Sequence, residues 1–173
     1  EFSGGGEPTV HKDFAKIFQA ASDMGYVLGL ITHACNPMPL ELLASRAKYV
    51  RCGLDAATPE THALIKQKEG KFQKAVDNIN ALVALRGDRD NFTVGIKIVL
   101  NSINFKEHRD VVWLAYELNV DYIQIKYEHS SDHFLTPEQL NEAQKFFNEE
   151  MAVPTHGLSK RTKVLGNLAH QKA

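Results

Sequence analysis

Four apolar stretches, separated by enough residues for a helix between each pair, constrain this chain more than any other feature. Residues 26–34 (YVLGLITHA), 49–56 (YVRCGLDA), 92–101 (FTVGIKIVLN) and 120–127 (VDYIQIKY) are rich in β-branched and aromatic residues and read as strands. Between them the apolar spacing changes to that of a helical face. A short helix fits residues 40–47, and Phe72, Ala75, Val76, Ile79, Leu82 and Val83 trace a longer one that stops near Gly87. Val111, Leu114, Ala115 and Leu118 mark a third, and Leu140, Ala143, Phe147 and Met151 a fourth. Thr58 followed by Pro59 is a helix start, and Thr136-Pro137-Glu138-Gln139 is a capping box. Alternating near-continuous apolar strands with helices predicts an α/β protein, a parallel sheet covered by helices. A closed eight-stranded barrel takes about 250 residues, so 173 residues make an open sheet or part of a barrel.

Ahead of these units stands Ser3-Gly4-Gly5-Gly6-Glu7-Pro8-Thr9. Three glycines in a row let the backbone turn sharply and let a ligand approach its amides and carbonyls. Glu7, Pro8 and Thr9 suit the first turn of a helix, which Phe14, Ile17, Phe18, Ala21 and Met24 continue until Gly25 stops it. Residues 1–3 then form the end of a strand, as if the first part of that element were absent.

An apolar content of 43%, a charged content of 24% and a net charge of −1 describe an ordinary globular chain with no general attraction to nucleic acid or anionic membranes. No apolar run approaches the roughly 20 residues of a membrane span. Cys35 and Cys52 are too few for a disulfide framework and suggest a reducing, cytoplasmic setting. The expected organisation is one domain over residues 1–152 and a basic tail, 153–173, with a short helix over 160–169.

In parallel α/β folds ligands gather where the strands end. Those ends carry Gly4, Gly5, Gly6 and Glu7, then Thr32, His33 and Asn36, then Gly53 and Asp55. Asn101, Ser102 and Asn104 follow, then Lys126, Glu128 and His129. The strand starts show no comparable cluster. His33 and His129 read as rim residues, and His129-x-x-x-His133 with Asp132 falls in a loop, a poor frame for zinc. From the residues alone two readings are open: a self-contained binding module using the glycine loop for an anion or nucleotide, and an aldolase-type barrel with Lys126 or Lys97 as base or Schiff-base amine.

A third comes from two segments together. The glycine loop resembles the Gly-Gly-Glu-Pro motif of the radical S-adenosylmethionine enzymes, and residues 50–62 (VRCGLDAATPETH) resemble the fourth-strand signature of the same superfamily. The resemblance covers roughly residues 1–150. It implies an incomplete (β/α)6 TIM-like barrel holding about strands 2–6, whose rim binds S-adenosylmethionine and a [4Fe-4S] cluster. The cofactor-binding set would be Gly4, Gly5, Gly6, Glu7 and Pro8 with Thr32, Asp55, Asn101 and Lys126. Gly5, Gly6 and Glu7 would face the ammonium of the cofactor's methionine end. The reaction implied is reductive cleavage of the sulfonium to a 5′-deoxyadenosyl radical, which takes hydrogen from a substrate the sequence does not identify.

Two departures stand out. The family's Cys-x-x-x-Cys-x-x-Cys is missing, and Gly53 stands where many relatives have a serine for the ribose. The expectation is therefore a fragment, inactive alone, with an open sheet edge that pairs with a second copy or with the missing segment.

Overall fold

The computed structural model describes residues 1–128, 132–152 and 161–166, the side chain of Met151 excepted. Its centre is a five-stranded sheet of β1 (Leu28–Thr32), β2 (Ala47–Gly53), β3 (Thr93–Leu100), β4 (Tyr122–Tyr127) and β5 (Lys163–Gly166). Neighbouring strands are parallel and lie side by side in chain order. That is the order in which a (β/α) barrel lays down its strands, here left open. The helices are α1 (Phe14–Asp23), α2 (Leu40–Arg46), α3 (Pro59–Lys66), α4 (Phe72–Arg86), α5 (His108–Glu117) and α6 (Pro137–Ala152). None is long and apolar enough to cross a membrane.

Crossovers of one hand between strands in sequential order place the helices on one face. Leu30, Val50, Ile96, Ile98, Ile123 and Ile125 meet Phe18, Leu43, Ile79, Ala115 and Phe147 there in one buried cluster. The alternate strand positions point away from it. They carry Tyr49, Arg51, Lys97, Tyr122, Gln124 and Lys126, all half-buried or exposed. The strands therefore bury one face, not both, and their polar positions recur every second residue.

The lower part of this open face, toward the strand starts, is floored by two rings. A Cβ on Gly29 would lie 2.3 Å from the ring of Tyr49, and one on Gly95 would lie 2.1 Å from that of Tyr122. Glycine on the neighbouring strand is what lets each tyrosine lie flat on the sheet. At the strand starts Arg86, fully buried at the end of α4, meets Asp121 at 2.9 Å, and Asp121 also accepts the amide of Val94 at 2.8 Å. This joins α4, β3 and the approach to β4 with each buried charge paired.

Helix boundaries follow local chemistry. The hydroxyl of Thr58 accepts the amide of Thr61, and Thr136 and Gln139 exchange two side-chain-to-backbone bonds as a capping box does. Gly25 and Gly87, with φ of 86° and 56°, end α1 and α4.

Two expectations need correction. The helix after the glycine loop is not continuous: Pro8–Val10 is a 3-10 turn, and α1 begins only at Phe14. The tail helix over 160–169 is replaced, in its described part, by β5, because the free edge of β4 offers backbone partners that outweigh local propensity. The outer edge of β1 is met by Phe2, whose amide donates to Gly29 at 2.8 Å and whose carbonyl accepts from Ile31 at 2.9 Å.

Candidate functional site: a glycine cradle above a cationic face

The glycine loop leaves the Phe2 bridge and crosses the carboxyl end of β1. Its side-chain anchor is Glu7. One carboxylate oxygen accepts the hydroxyl of Thr32 at 2.7 Å and the hydroxyl and amide of Thr9 at 2.7 and 3.1 Å. The other accepts the amide of His33 at 2.8 Å, with the His33 ring at 3.3 Å. Burial works against the charge, but the Thr32 hydroxyl, the His33 amide and the two Thr9 donors outweigh it and hold Glu7 below the usual carboxylate range. Thr32, itself buried, passes the connection on by accepting the amide of Ala34 at 3.0 Å.

With Glu7 turned inward, Gly4, Gly5 and Gly6 are left with their backbone exposed. A Cβ on any of the three would meet nothing within 4 Å. Among the described residues no hydrogen bond uses their amides or carbonyls. They and Glu1–Phe2 border an open cleft of about 860 Å³ that runs on to Pro8 and Lys12. Free carbonyls in such a loop are acceptors for an ammonium group.

The ends of β2 and β3 are tied to each other in the same self-contained way. Asp55 takes Lys66 at 2.7 Å and the amide of Val99 at 2.8 Å. Asn104, fully buried, donates to the carbonyls of Asp55 and Val99 at 2.8 and 2.9 Å and accepts the amide of Asn101 at 2.8 Å. Asn101 in turn accepts the amide of Ile103 at 2.9 Å. Glu107 closes the next loop by accepting the Ala57 amide at 2.8 Å, the Thr61 hydroxyl at 2.6 Å and the Thr58 hydroxyl. A Cβ on Gly53 would meet only the Thr32 carbonyl, at 3.7 Å, so the position has room for a serine.

The predicted residues thus share one end of the sheet, but they do different work. Gly4, Gly5 and Gly6 present backbone; Glu7, Thr32, Asp55 and Asn101 spend their side chains on the scaffold. Pro8 opens the 3-10 turn. Lys126 lies apart, exposed on the open face. His129 is outside the described residues. Asn104 was named only among strand-end polar groups, and Glu107, Arg51 and Gln124 were not singled out. Arg51, Lys97, Gln124 and Lys126 had a readable signal, since VRCG, GIKIV and YIQIKY alternate polar and apolar residues.

The two thiols do not form an iron site. Cys35 and Cys52 are both buried, and burial pushes both thiols up, Cys52 to about 12. Among the described residues no group of three or more His, Cys, Asp and Glu could hold a metal ion.

Comparison with known proteins agrees with this geometry. An S-adenosylmethionine-dependent nucleotide dehydratase of Selenomonas ruminantium is 32% identical over 124 residues, 67% of this chain and 44% of that protein. Streptococcus suis SuiB bound to S-adenosylmethionine superposes with a TM-score of 0.73 at 13% identity, over 96% of this chain and 37% of SuiB. A domain of a pyruvate-formate lyase-activating enzyme from Bacteroides vulgatus superposes with a TM-score of 0.67 at 15% identity, over 94% of this chain and 96% of that one. The chain spans less than half the length of the dehydratase and of SuiB, and its fold is the partial barrel of these enzymes. The model of the radical SAM superfamily matches residues 2–114, most of this chain, and the chain belongs to that superfamily.

Proposed function

We propose that these residues form the S-adenosylmethionine-binding part of a radical S-adenosylmethionine enzyme. The observation that carries the reading is the backbone of Gly4, Gly5 and Gly6, held open at the rim by Glu7 and left without partners among the described residues. In this reading the carbonyls of the loop accept the cofactor's ammonium, and Glu7 acts as a positioning residue that fixes the loop against Thr32 and His33. Asp55, Asn101 and Asn104 set the height of the β2 and β3 ends against which the nucleoside lies. Gly53 leaves the ribose without a side-chain partner there. The bound cofactor supplies hydrogen-atom abstraction.

Iron–sulfur clusters are held chiefly by thiolates. Two buried thiols without cluster spacing do not fit a [4Fe-4S] group. We propose accordingly that these 173 residues alone bind the cofactor but do not cleave it.

Amide NMR tests both statements. Addition of S-adenosylmethionine is expected to shift the Gly4, Gly5, Gly6 and His33 resonances, while dithionite and iron sulfide reconstitution release no 5′-deoxyadenosine. Shifts elsewhere with the loop silent would overturn the binding assignment. Release of 5′-deoxyadenosine would overturn the second statement. Phosphate, rather than the sulfonium, shifting the glycine amides would support the anion-module reading instead.

A further inference from the structure

The open face carries three cationic side chains, of which Arg51 has a distant carboxylate partner and two lysines have none among the described residues. Arg51, Lys97 and Lys126 project from three adjacent strands, on the same face by register: Arg51 pairs across to Gly95, Gly53 to Lys97, and Val99 to Lys126. The guanidinium of Arg51 donates to Gln124 at 3.2 Å, which fixes both on this face, and its Nε is buried without a partner. Glu1 and Asp55 are carboxylates that lie beside these cations. Glu1 stands 3.9 Å from Arg51 and is held by Tyr49, and Asp55 is taken by Lys66 at 2.7 Å. That leaves the ammonium groups of Lys97 and Lys126 without a hydrogen bond or ion pair among the described residues. Lys97 is half-buried, and burial together with Lys126 pushes its pKa down. Crowding cations on a partly desolvated surface is unfavourable unless something anionic sits among them.

We propose that this face is the substrate chamber of the reaction and that its substrate is phosphorylated, with the phosphate seated among Arg51, Lys97 and Lys126. The proposal rests on the cofactor reading above for the identity of the reaction, but its ligand chemistry rests on the charges alone. A phosphate monoester carries about −1.5 to −2 at neutral pH, which matches two uncompensated ammonium groups. A monocarboxylate carries half of that. The Arg51 fork suits two phosphate oxygens, and the lysines act as point charges beside it. The flat rings of Tyr49 and Tyr122 below offer an apolar floor to the rest of the molecule.

The test titrates this chain with inorganic pyrophosphate and, at matched ionic strength, with citrate, following amide and side-chain resonances. Pyrophosphate is expected to shift Arg51, Lys97, Gln124 and Lys126. Lys97→Gln and Lys126→Gln are each expected to weaken it about tenfold, the size of a lost charge-assisted hydrogen bond. Lys126 is exposed, so its replacement reports on binding without disturbing the fold. Citrate binding as tightly as pyrophosphate, or unchanged affinity in both variants, would overturn the proposal. The two readings fail separately. S-adenosylmethionine shifting the glycine loop while pyrophosphate leaves the face silent removes the phosphate site alone. The reverse pattern removes the cofactor assignment and keeps the anion site.

Discussion

The rim of the sheet and its open face are built from similar residues and treat them in opposite ways. At the rim Glu7, Asp55, Asn101, Asn104 and Glu107 have their polar atoms engaged by neighbouring loops. On the face Lys97 and Lys126 have their charged ends free among the described residues, and Arg51 keeps a buried, unpartnered nitrogen. In the reading proposed above, the difference separates holding a shape from meeting a ligand. Rim side chains satisfy each other so that the main chain of Gly4, Gly5 and Gly6 can stay open. Face side chains keep donors in reserve.

The sharpest break of this contrast is Asn104→Leu. Three side-chain hydrogen bonds disappear and leave the Asp55 and Val99 carbonyls and the Asn101 amide buried. A stability loss of about 3 kcal/mol is expected in urea unfolding. Gly95→Ala should follow with about 2 kcal/mol, since its methyl would lie 2.1 Å from the ring of Tyr122 and the ring must lift off the sheet. Thermal unfolding of the variant beside the parent chain measures that loss.

Glu7→Gln is expected to cost about 1.5 kcal/mol near neutral pH. The pH dependence identifies the cause. The folded pKa of Glu7 lies below the usual carboxylate range, so its charge adds stability above the unfolded value that is lost as pH falls through the folded pKa. The glutamine variant should lack this part of the acid transition, and an unchanged acid limb would show that the loop is held by something else. Gly53→Ser should tighten S-adenosylmethionine about fivefold by calorimetry, if the added hydroxyl reaches the ribose. The smallest effect closes the series. Lys97→Gln should leave stability within about 0.5 kcal/mol of the parent chain, because no internal partner is lost. A large loss there would mean that the face, like the rim, serves the scaffold.

Much of this architecture was legible in the residues. Apolar runs and helical spacing gave the parallel α/β sheet, and Thr58, Thr136, Gln139, Gly25 and Gly87 marked boundaries because capping and positive φ are local chemistry. The four residues of β5 were not legible, because KVLG becomes a strand only beside the edge of β4. The roles of Glu7, Asp55 and Asn101 were hidden for a related reason. A carboxylate at a strand end looks the same in sequence whether it faces a ligand or a neighbouring amide, and here the neighbouring amides of His33, Val99 and Ile103 take them. Arg51 and Gln124 were overlooked because runs that read as apolar throughout concealed an every-second-residue pattern.

The buried state of both native thiols has a practical side. Cys35 and Cys52 are shielded, and their raised pKa values keep them largely as unreactive thiols near neutral pH. A single cysteine introduced by Lys126→Cys would thus be the preferred target of a maleimide dye. Fluorophores could then be attached at that one spot with the wild-type sulfur atoms left in place.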